Sequence, residues 1–357
     1  MTGSDADRDR SARPGGRAVL AAAWLAAMPL LMATPVSGQI LHQPVQPHGL
    51  EVDVSPSIGS DGNGVFEPGE SVVTAPQWRN ASSLPIFLKG TAIRFDGPDV
   101  ASYSLLDDQA RYGTVRPGTS ASCRDERNCY GTAVLPFTAD RPLHWDAAMK
   151  EKTNADASHT WTLHLGDSFH DVPRSSPFYR SIETLLHKGV TSGCGDRLYC
   201  PQDLLTRDQL AVYLLASKEG AGYAPPACVE GQERFADVPA GSPFCRWIEE
   251  LSRREIVGGC APALYCPEAP VTRQEMAYLS LFTKEGQVAY PDCTAGTPRI
   301  FADVDHLNSF CSWIEELARR GVVGGCGGGN YCPLQDTTRE QAAVFMVGTF
   351  ELRLYEP

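Results

Sequence analysis

The sequence predicts a multidomain protein, with an N-terminal all-β sandwich of Ig-like size followed by all-α helical repeats. Between about residues 49 and 166, short apolar–polar alternations are separated by Gly, Pro, Asn and Asp, which is typical of strands joined by turns. A longer stretch then occurs three times, starting at Phe169, Phe235 and Phe301, always 66 residues apart. A fixed period over three copies indicates an array built from one supersecondary unit.

Residues 1–38 are predicted to be a secretory signal peptide. Four arginines precede the apolar run 18–31, and small residues at 36–38 offer a cleavage site. The run is short and contains Pro29, which favours a cleaved signal over an uncleaved membrane anchor. No other stretch is long and apolar enough to span a membrane, so we expect a secreted chain without a transmembrane segment in its mature form.

The mature chain is expected to be acidic. The full sequence carries 31 Lys and Arg against 43 Asp and Glu, a net charge of -12. Cleavage after residue 38 removes four Arg and three Asp and leaves -13. A negative chain repels a phosphate backbone, so nucleic acid is not expected as a partner.

The 12 cysteines are expected to form disulfides, as is usual in an exported chain. Four pairs share the spacing C-x5-C. The other four cysteines occupy two equivalent positions in the second and third copies. The first copy lacks a cysteine at both positions, and this joint absence indicates that the two positions are bonded to each other. Zinc is the alternative, but zinc sites usually have more closely spaced cysteines and nearby histidines. The predicted pairs are Cys123 with Cys129, Cys194 with Cys200, Cys228 with Cys245, Cys260 with Cys266, Cys293 with Cys311, and Cys326 with Cys332.

The all-β domain is assigned to residues 49–166, after an extended lead-in at 39–48. No linker separates it from the first repeat, so the two are expected to pack together. The segment Trp145–Lys152 is the one place where a short turn or helix is expected. The strand candidates are the alternating Leu50, Val52 and Val54, and the segments Ser71–Thr74, Thr91–Phe95, Ala133–Phe137 and Thr160–Leu165.

An oxygen-rich segment in this domain has two interpretations. Asp61, Asn63, Glu67 and Glu70 carry enough oxygen ligands to bind calcium, although their spacing is not that of an EF-hand. The sequence Asp-Gly-Asn-Gly is also a standard hairpin turn, which is the interpretation we favour.

The histidine-containing segment around Trp145 also has two interpretations. His144 and Asp146 flank this tryptophan, and His159 and His164 follow nearby, which would suit a metal or catalytic site. A buried tryptophan with hydrogen-bonded neighbours is the simpler interpretation.

Each copy of the repeat is predicted to be helix, loop and helix. In the first copy, Phe178, Ile182 and Leu185 form one apolar helical face. Gly189 and Gly321 follow the first helix where a left-handed residue is needed, and Glu255 takes this place in the second copy. The glycine-rich loop lacks the Lys-Ser/Thr ending of a phosphate-binding P-loop.

The second helix of each copy opens with Thr-Arg-x-Glu/Gln, in which the first and last residues suit a capping box. The arginine is not explained by capping, because a cation opposes the helix dipole at this end. It forms either an ion pair, with Asp171, Asp237 or Asp303, or a seat for an anionic ligand at the helix start. The capping pairs are Thr206 with Gln209, Thr272 with Glu275, and Thr338 with Gln341, and the arginines are Arg207, Arg273 and Arg339.

The repeated pattern resembles the S-layer homology (SLH) family. The matching features are Phe-x-Asp-Val, an aromatic-led helix, Gly-Val/Ile-Thr/Val-x-Gly and Thr-Arg-x-Glu/Gln, in three tandem C-terminal copies at 167–221, 222–287 and 288–357. The resemblance implies pseudo-three-fold helical repeats around a central bundle. It also implies anchoring to a cell-wall or envelope polysaccharide, often one bearing pyruvate ketals, with Arg207, Arg273 and Arg339 in grooves between repeats.

Two departures from the family pattern bear on the ligand. Each copy carries a C-x5-C pair that many members lack, and the residue after the arginine is Asp208, Gln274 or Glu340 instead of alanine. A carboxylate beside an arginine weakens anion binding, so the identity of the sugar and the number of binding grooves stay open.

The predicted function is a secreted cell-surface protein that is anchored through its repeats and displays the sandwich. One alternative is a structural or adhesive envelope protein whose repeats mediate assembly, and another is a glycan-acting enzyme. No Gly-x-Ser-x-Gly, His-Glu-x-x-His or Cys/His nucleophile pattern is present. We therefore expect no enzymatic activity, and no cofactor unless calcium binds.

Overall fold

The computed structural model describes residues 43–56, 59–137, 141–291, 293–294, 296 and 298–357. The signal peptide predicted for residues 1–38, and the lead-in before residue 43, lie outside this set. Residues 43–357 form one compact unit, in which a β-rich region is followed by a helical region.

The β-rich region consists of two antiparallel sheets. Its strands are β1 Val45–Val52, β2 Ser71–Asn80, β3 Ile86–Asp96, β4 Ala101–Asp107, β5 Gln109–Val115, β6 Ser120–Ser122, β7 Tyr130–Pro136, β8 Trp145–Thr153 and β9 Ser158–Leu165. One sheet has the order β1-β2-β7-β4, with β6 paired to β2, and the other has the order β5-β3-β8-β9. The first strand begins earlier than expected, within the predicted lead-in.

The expectation of a short turn or helix at Trp145–Lys152 is wrong, because this segment lies in strand β8. Trp145, Ala147 and Met149 are buried, whereas Lys150 and Lys152 are exposed. Ala, Met, Lys and Glu favour helices in isolation, but pairing with β3 and β9 on both sides overrides that preference. The five predicted strand segments overlap β1, β2, β3, β7 and β9, and strands β4 to β6 were not predicted.

A buried carboxylate connects the two sheets. Glu151 on β8 accepts hydrogen bonds from the Tyr112 and Tyr130 hydroxyls at 2.7 and 2.8 Å. It also accepts them from the indole nitrogens of Trp161 and Trp78 at 2.7 and 3.1 Å. Burial raises the pKa of Glu151, and the four hydrogen bonds oppose that rise. Since Tyr130 and Trp78 belong to the other sheet, the carboxylate holds the two inner faces in register.

The helical region contains a short and a long helix in each copy of the repeat. None of the described helices combines the length and the apolar character needed to span a membrane. The helices are α1 Tyr179–His187, α2 Arg207–Glu219, α3 Cys245–Arg253, α4 Arg273–Glu285, α5 Cys311–Arg319 and α6 Arg339–Phe350.

Each short helix is followed by a residue in the left-handed conformation. The φ angles are 66° at Gly189, 58° at Glu255 and 69° at Gly321. Glycine adopts this conformation without a steric cost, so the second copy reaches the same turn with a residue that is less suited to it.

The six predicted cysteine pairs lie at disulfide distance, with Cα atoms 5.1 to 6.2 Å apart. They account for all 12 cysteines of the chain. Cys194 with Cys200, and its equivalents, close the loop between the two helices of a copy. Cys228 with Cys245, and Cys293 with Cys311, attach the start of a short helix to the preceding segment.

The β-rich region packs directly against the first repeat. Nε2 of His187 in α1 lies 3.2 Å from the Leu165 carbonyl of β9, and Nδ1 of the same ring lies 3.3 Å from the Asp146 carboxylate of β8. Gly166 lies between the two regions, where a Cβ atom would be only 2.3 Å from the Val65 side chain. The approach is therefore too close for any residue except glycine.

Candidate functional site

The aspartates of the Phe-x-Asp-Val motif hold the disulfide loop of their own repeat. Asp171 accepts hydrogen bonds from the N–H groups of Tyr199 at 2.8 Å and Cys200 at 2.7 Å. Asp237 and Asp303 make the same two contacts in the second and third copies. Slight burial raises the pKa of Asp237, but the backbone hydrogen bonds outweigh it and the pKa is lowered. These carboxylates thus hold the loops, whereas an ion pair with the arginines was one of the two interpretations that the sequence left open.

The motif arginine of each copy forms a joint with the next copy. The Arg207 Nε donates to the Tyr265 carbonyl at 3.0 Å, and its guanidinium lies 4.7 Å from the centre of the Tyr265 ring. The Tyr265 hydroxyl donates in return to the Arg207 carbonyl at 3.0 Å. The same three contacts are made by Arg273 with Tyr331 and by Arg339 with Tyr199. The third copy contacts the first, so the joints close a cycle.

The same joints use the free N–H groups at the start of the long helices. The N–H groups of Arg207 and Asp208 donate to the carbonyls of Ala269 and Pro267, both at 3.0 Å. The equivalent bonds run from Arg273 to Gln335, Gln274 to Pro333, Arg339 to Asp203 and Glu340 to Pro201. Unpaired N–H groups are what attracts an anion to a helix start. Here these groups join the copies, so the helix starts are not open anion seats.

The residues predicted as capping boxes are arranged differently in the second and third copies. Thr272 donates to Glu275 through its N–H at 2.8 Å and through its hydroxyl at 2.6 Å. In the third copy the Gln341 N–H donates to the Thr338 hydroxyl oxygen at 3.4 Å. The reciprocal box is present at Thr272 and Glu275.

In the first copy Asp208 takes over the capping role. Its carboxylate accepts hydrogen bonds from the Thr206 hydroxyl and from the Gln209 N–H. The Gln209 side chain is thereby free to reach another copy, where its Oε1 accepts a hydrogen bond from Arg339 Nη1 at 3.0 Å.

The surroundings of Arg207 and Arg339 leave these cations engaged within the fold. Arg207 Nη2 donates to the Gly258 carbonyl at 3.0 Å, and Nη1 lies 3.9 Å from the Glu275 carboxylate. Arg339 Nη1 donates to Gln209 Oε1 at 3.0 Å, and its buried Nη2 has no hydrogen-bond partner among the described residues. Both side chains therefore act chiefly as packing elements between copies.

Arg273 differs because it lines a cavity of about 200 Å³ between the copies. Its Nε is held by the Tyr331 carbonyl at 2.8 Å. Gln341, an uncharged amide, stands at the position that Glu275 occupies beside Arg207. The remaining walls are Phe178 of the first copy, the segment 322–325, Val344 and Phe345. One guanidinium, one amide, two loop glycines and apolar walls suit a small anionic group.

The oxygen-rich loop brings three buried carboxylates together. Oxygens of Asp53, Glu67 and Glu70 lie within 4.8 Å of one another. Asp53 Oδ2 and Glu67 Oε2 have no hydrogen-bond partner among the described residues. Burial, together with neighbouring Glu70, raises the pKa of Glu67 to about 9, and burial also raises that of Asp53. A divalent cation would compensate these buried carboxylates.

Asp61 and Asn63 form the turn beside this group. The Asn63 N–H donates to the Asp61 carboxylate at 3.0 Å, and the Val65 N–H donates to Asn63 Oδ1 at 2.7 Å. The Asn63 amide also donates to Glu67 Oε1 at 2.8 Å. The expectation of a hairpin turn is wrong, because Asp-Gly-Asn-Gly lies within the long connection between β1 and β2, where its side chains bend the loop and support the carboxylates. Asp53 was not predicted, because the fold alone brings the end of β1 to this loop.

Trp145 and His159 occupy packing positions. Trp145 is fully buried, and its indole nitrogen donates to the Tyr103 hydroxyl at 2.8 Å. The His159 ring lies 4.5 Å from that of Trp161 and 6.3 Å from that of Trp78. His159 is therefore separated from the other histidines of the segment.

His144, Asp146 and His164 lie together, and His187 of α1 joins them. His187 was not predicted as part of this group, because it belongs to the first repeat. Burial lowers the pKa of His187 to about 4, and the negative charge of nearby Asp146 opposes this decrease. The hydrogen bond with Asp146 raises the pKa of His144.

A family model described as S-layer homology domain matches residues 168–211 and 234–277. These ranges run from the Phe-x-Asp-Val motif into the long helix of the first and second copies. S-layer homology domains are generally envelope-anchoring modules that bind cell-wall polymers, so the match agrees with a surface-associated protein. No curated protein matches the chain.

Proposed function

We propose that this chain is a secreted cell-surface protein that binds an envelope polysaccharide non-covalently through three S-layer homology repeats. We infer that the third copy, residues 288–357, is such a repeat, that a pseudo-three-fold axis relates the copies, and that the β-rich region is an Ig-like sandwich displayed at the surface. The family match in two copies supports this proposal, as does the arginine–tyrosine joint in all three.

The single observation that carries the proposal is the position of Arg273 at the inter-repeat cavity. A guanidinium fixed through Nε keeps two terminal nitrogens in the planar arrangement that pairs with a carboxylate. Gly324 and Gly325 allow a ligand to approach the backbone, and Phe178 and Phe345 offer apolar surface to a sugar ring. We assign an acidic sugar of the polysaccharide to this cavity.

The three arginines are proposed to contribute unequally. Arg207 faces the Glu275 carboxylate, which competes with an anionic ligand, and Arg339 is bonded to Gln209. The cavity at Arg273 is therefore the principal binding site, and the other two positions serve mainly as joints.

The test is co-sedimentation of the purified full-length mature chain with the isolated envelope fraction of the source organism. Arg273→Gln should weaken binding by more than ~10-fold, because it removes a charge-assisted contact worth roughly 2–5 kcal/mol. Arg207→Gln is the matched control, since it removes an equivalent joint to a tyrosine and leaves the cavity intact.

Two results would contradict the proposal. One is a wild-type chain that stays in solution, and the other is equal sedimentation of the wild-type and Arg273→Gln chains. Chemical removal of acidic polymers from the envelope fraction should abolish binding of the wild-type chain and so identifies the ligand class.

The contacts that Arg207 and Arg339 make within the fold favour a second function, in which the repeats mediate protein assembly. That function predicts self-association without envelope material, measured by sedimentation velocity. It also predicts that Arg273→Gln has no greater effect than Arg207→Gln.

A further inference from the structure

Four metal-ligating side chains from two parts of the fold meet at one point. His144 and Asp146 lie at the start of β8, His164 near the end of β9, and His187 at the end of α1. Their ligand atoms all lie within 4.8 Å of one another. The Asp146 carboxylate is 2.6 Å from His164 Nδ1, 3.3 Å from His187 Nδ1 and 3.4 Å from His144 Nε2. Three imidazoles thus surround one carboxylate.

The most buried member of this cluster presents an unsatisfied nitrogen. The His187 side chain is 0% exposed, and its Nε2 lies 3.2 Å from the Leu165 carbonyl. A carbonyl only accepts hydrogen bonds, so this contact places the proton of the neutral ring on Nε2. Nδ1 then faces the Asp146 carboxylate as a second acceptor, and it has no hydrogen-bond partner among the described residues. A cation between these two acceptors would satisfy both.

The surroundings orient the buried half of the cluster. A histidine that ligates a metal usually donates its other N–H to a carbonyl or carboxylate, which fixes the tautomer and the ring orientation. His187 has this arrangement with Leu165. The His164 ring lies nearly parallel to that of Tyr355, with centres 6.0 Å apart and an interplanar angle of 18°.

We propose that His144, Asp146, His164 and His187 bind one Zn²⁺ ion as a four-coordinate structural site. Three nitrogens and one carboxylate oxygen form a donor set that suits zinc, whereas Ca²⁺ and Mg²⁺ prefer oxygen ligands alone.

Metal binding requires only a small contraction of the cluster. Tetrahedral bonds of about 2.0–2.1 Å place ligand atoms about 3.3 Å apart. The side chains of His144 and Asp146 are 46% and 39% exposed, so these two are free to close on the ion and also provide its entry path. The His164 side chain is 13% exposed and stays with His187 on the buried side.

The site would fasten the β-rich region to the anchoring repeats. Two of its elements, β8 and β9, belong to one sheet, and the third, α1, is the first helix of the first repeat. Zinc that binds the folded chain stabilises it by mass action. It would therefore hold the displayed region rigidly on the first repeat.

The test uses the full-length mature chain with oxidised disulfides and an affinity tag that contains no histidine. After dialysis against a chelator, the chain is titrated with Zn²⁺ in competition with a chromophoric indicator, and with Co²⁺ to record the visible absorption of a tetrahedral centre. We expect one ion per chain and a rise in the unfolding temperature with Zn²⁺ but not with Mg²⁺.

Two variants locate the site. His144→Ala removes an exposed ligand without opening the core, and it should weaken Zn²⁺ binding by at least ~10-fold and abolish the Co²⁺ spectrum. His170→Ala removes an exposed histidine outside the cluster and should bind like the wild-type chain. The proposal is overturned if the wild-type chain shows no saturable binding, or if His144→Ala and wild type bind Zn²⁺ equally.

Discussion

Arg339 lies over the ring of Tyr199, 4.8 Å from its centre, although 140 positions separate the two residues in the chain. Its Nε donates to the Tyr199 carbonyl at 2.9 Å, and the Tyr199 hydroxyl donates to the Arg339 carbonyl at 2.8 Å. This pair joins the last copy of the repeat to the first. The joint accounts for a cation at a helix start, where the helix dipole alone would disfavour it.

Replacing this arginine should destabilise the whole helical region. Arg339→Met leaves the Tyr199 carbonyl and the Gln209 amide without their donor, which should lower the free energy of unfolding by about 2 kcal/mol. Arg339→Lys should not restore it, because lysine lacks the planar donor fork. Urea unfolding with intact disulfides measures both effects. Arg94→Met, at a side chain that is 72% exposed, is the control, and an equal effect of the two Met substitutions would refute the joint.

The left-handed residue after α3 offers a stabilising substitution. Glu255 has a φ of 58° and is exposed, whereas the other two copies have glycine at this point. Glu255→Gly should raise the free energy of unfolding by about 0.5–1 kcal/mol, because it removes the steric cost of this conformation. Thermal unfolding measures the change. Gly321→Glu is the reciprocal variant and should lower stability, so a change of the same sign in both would contradict the explanation.

The Glu285–Arg320 pair should contribute to stability only above acidic pH. Hydrogen bonds from Arg320 lower the pKa of Glu285 from 4.5 to about 2. Between these two pKa values the folded state therefore binds fewer protons than the unfolded state. The contribution of the pair to the free energy of unfolding is complete above pH 4.5 and is lost as the pH falls towards 2. Since the pair is partly exposed, we expect the loss to be about 1 kcal/mol.

Urea unfolding at several pH values measures this loss. Glu285→Gln should show a shallower decline on acidification than the wild-type chain, because the substituted side chain does not titrate. Glu230→Gln changes an exposed glutamate and should follow the wild-type curve. Parallel curves for all three chains would show that the pair contributes nothing.

Calcium is expected to stabilise the β-rich region through the group formed by Asp53, Glu67 and Glu70. At 100 times the dissociation constant, a bound ion adds about 2.7 kcal/mol to the free energy of unfolding. Glu67→Gln should remove this gain, and Asp61→Asn should retain most of it, because Asp61 is bonded to Asn63 in the adjoining turn. Thermal unfolding with Ca²⁺ and with a chelator distinguishes these cases, and an unchanged unfolding temperature in the wild-type chain would exclude the site.

Local patterns predicted a large part of this fold. Strand alternation predicted a β-rich region, and the 66-residue period predicted helices at equivalent positions. Cysteine spacing predicted six pairs that lie at disulfide distance. These features were accessible because each depends on residues close in sequence, or on a comparison between internal copies. Strand β8 was missed because its residues favour a helix until neighbouring strands pair with them.

The sequence by itself determined the repeat unit, the cysteine pairs and the candidate arginines, since all three recur at fixed spacing. Only the tertiary structure decided what those arginines contact, because each partner tyrosine lies in another copy. It also decided that, of these three arginines, Arg273 is the one that lines the described cavity. Finally, it brought Asp53 and His187 into the two candidate metal sites. The physical reason is the same in each case: charge and ligand chemistry depend on neighbours in space, and chain folding brings those neighbours together from distant positions.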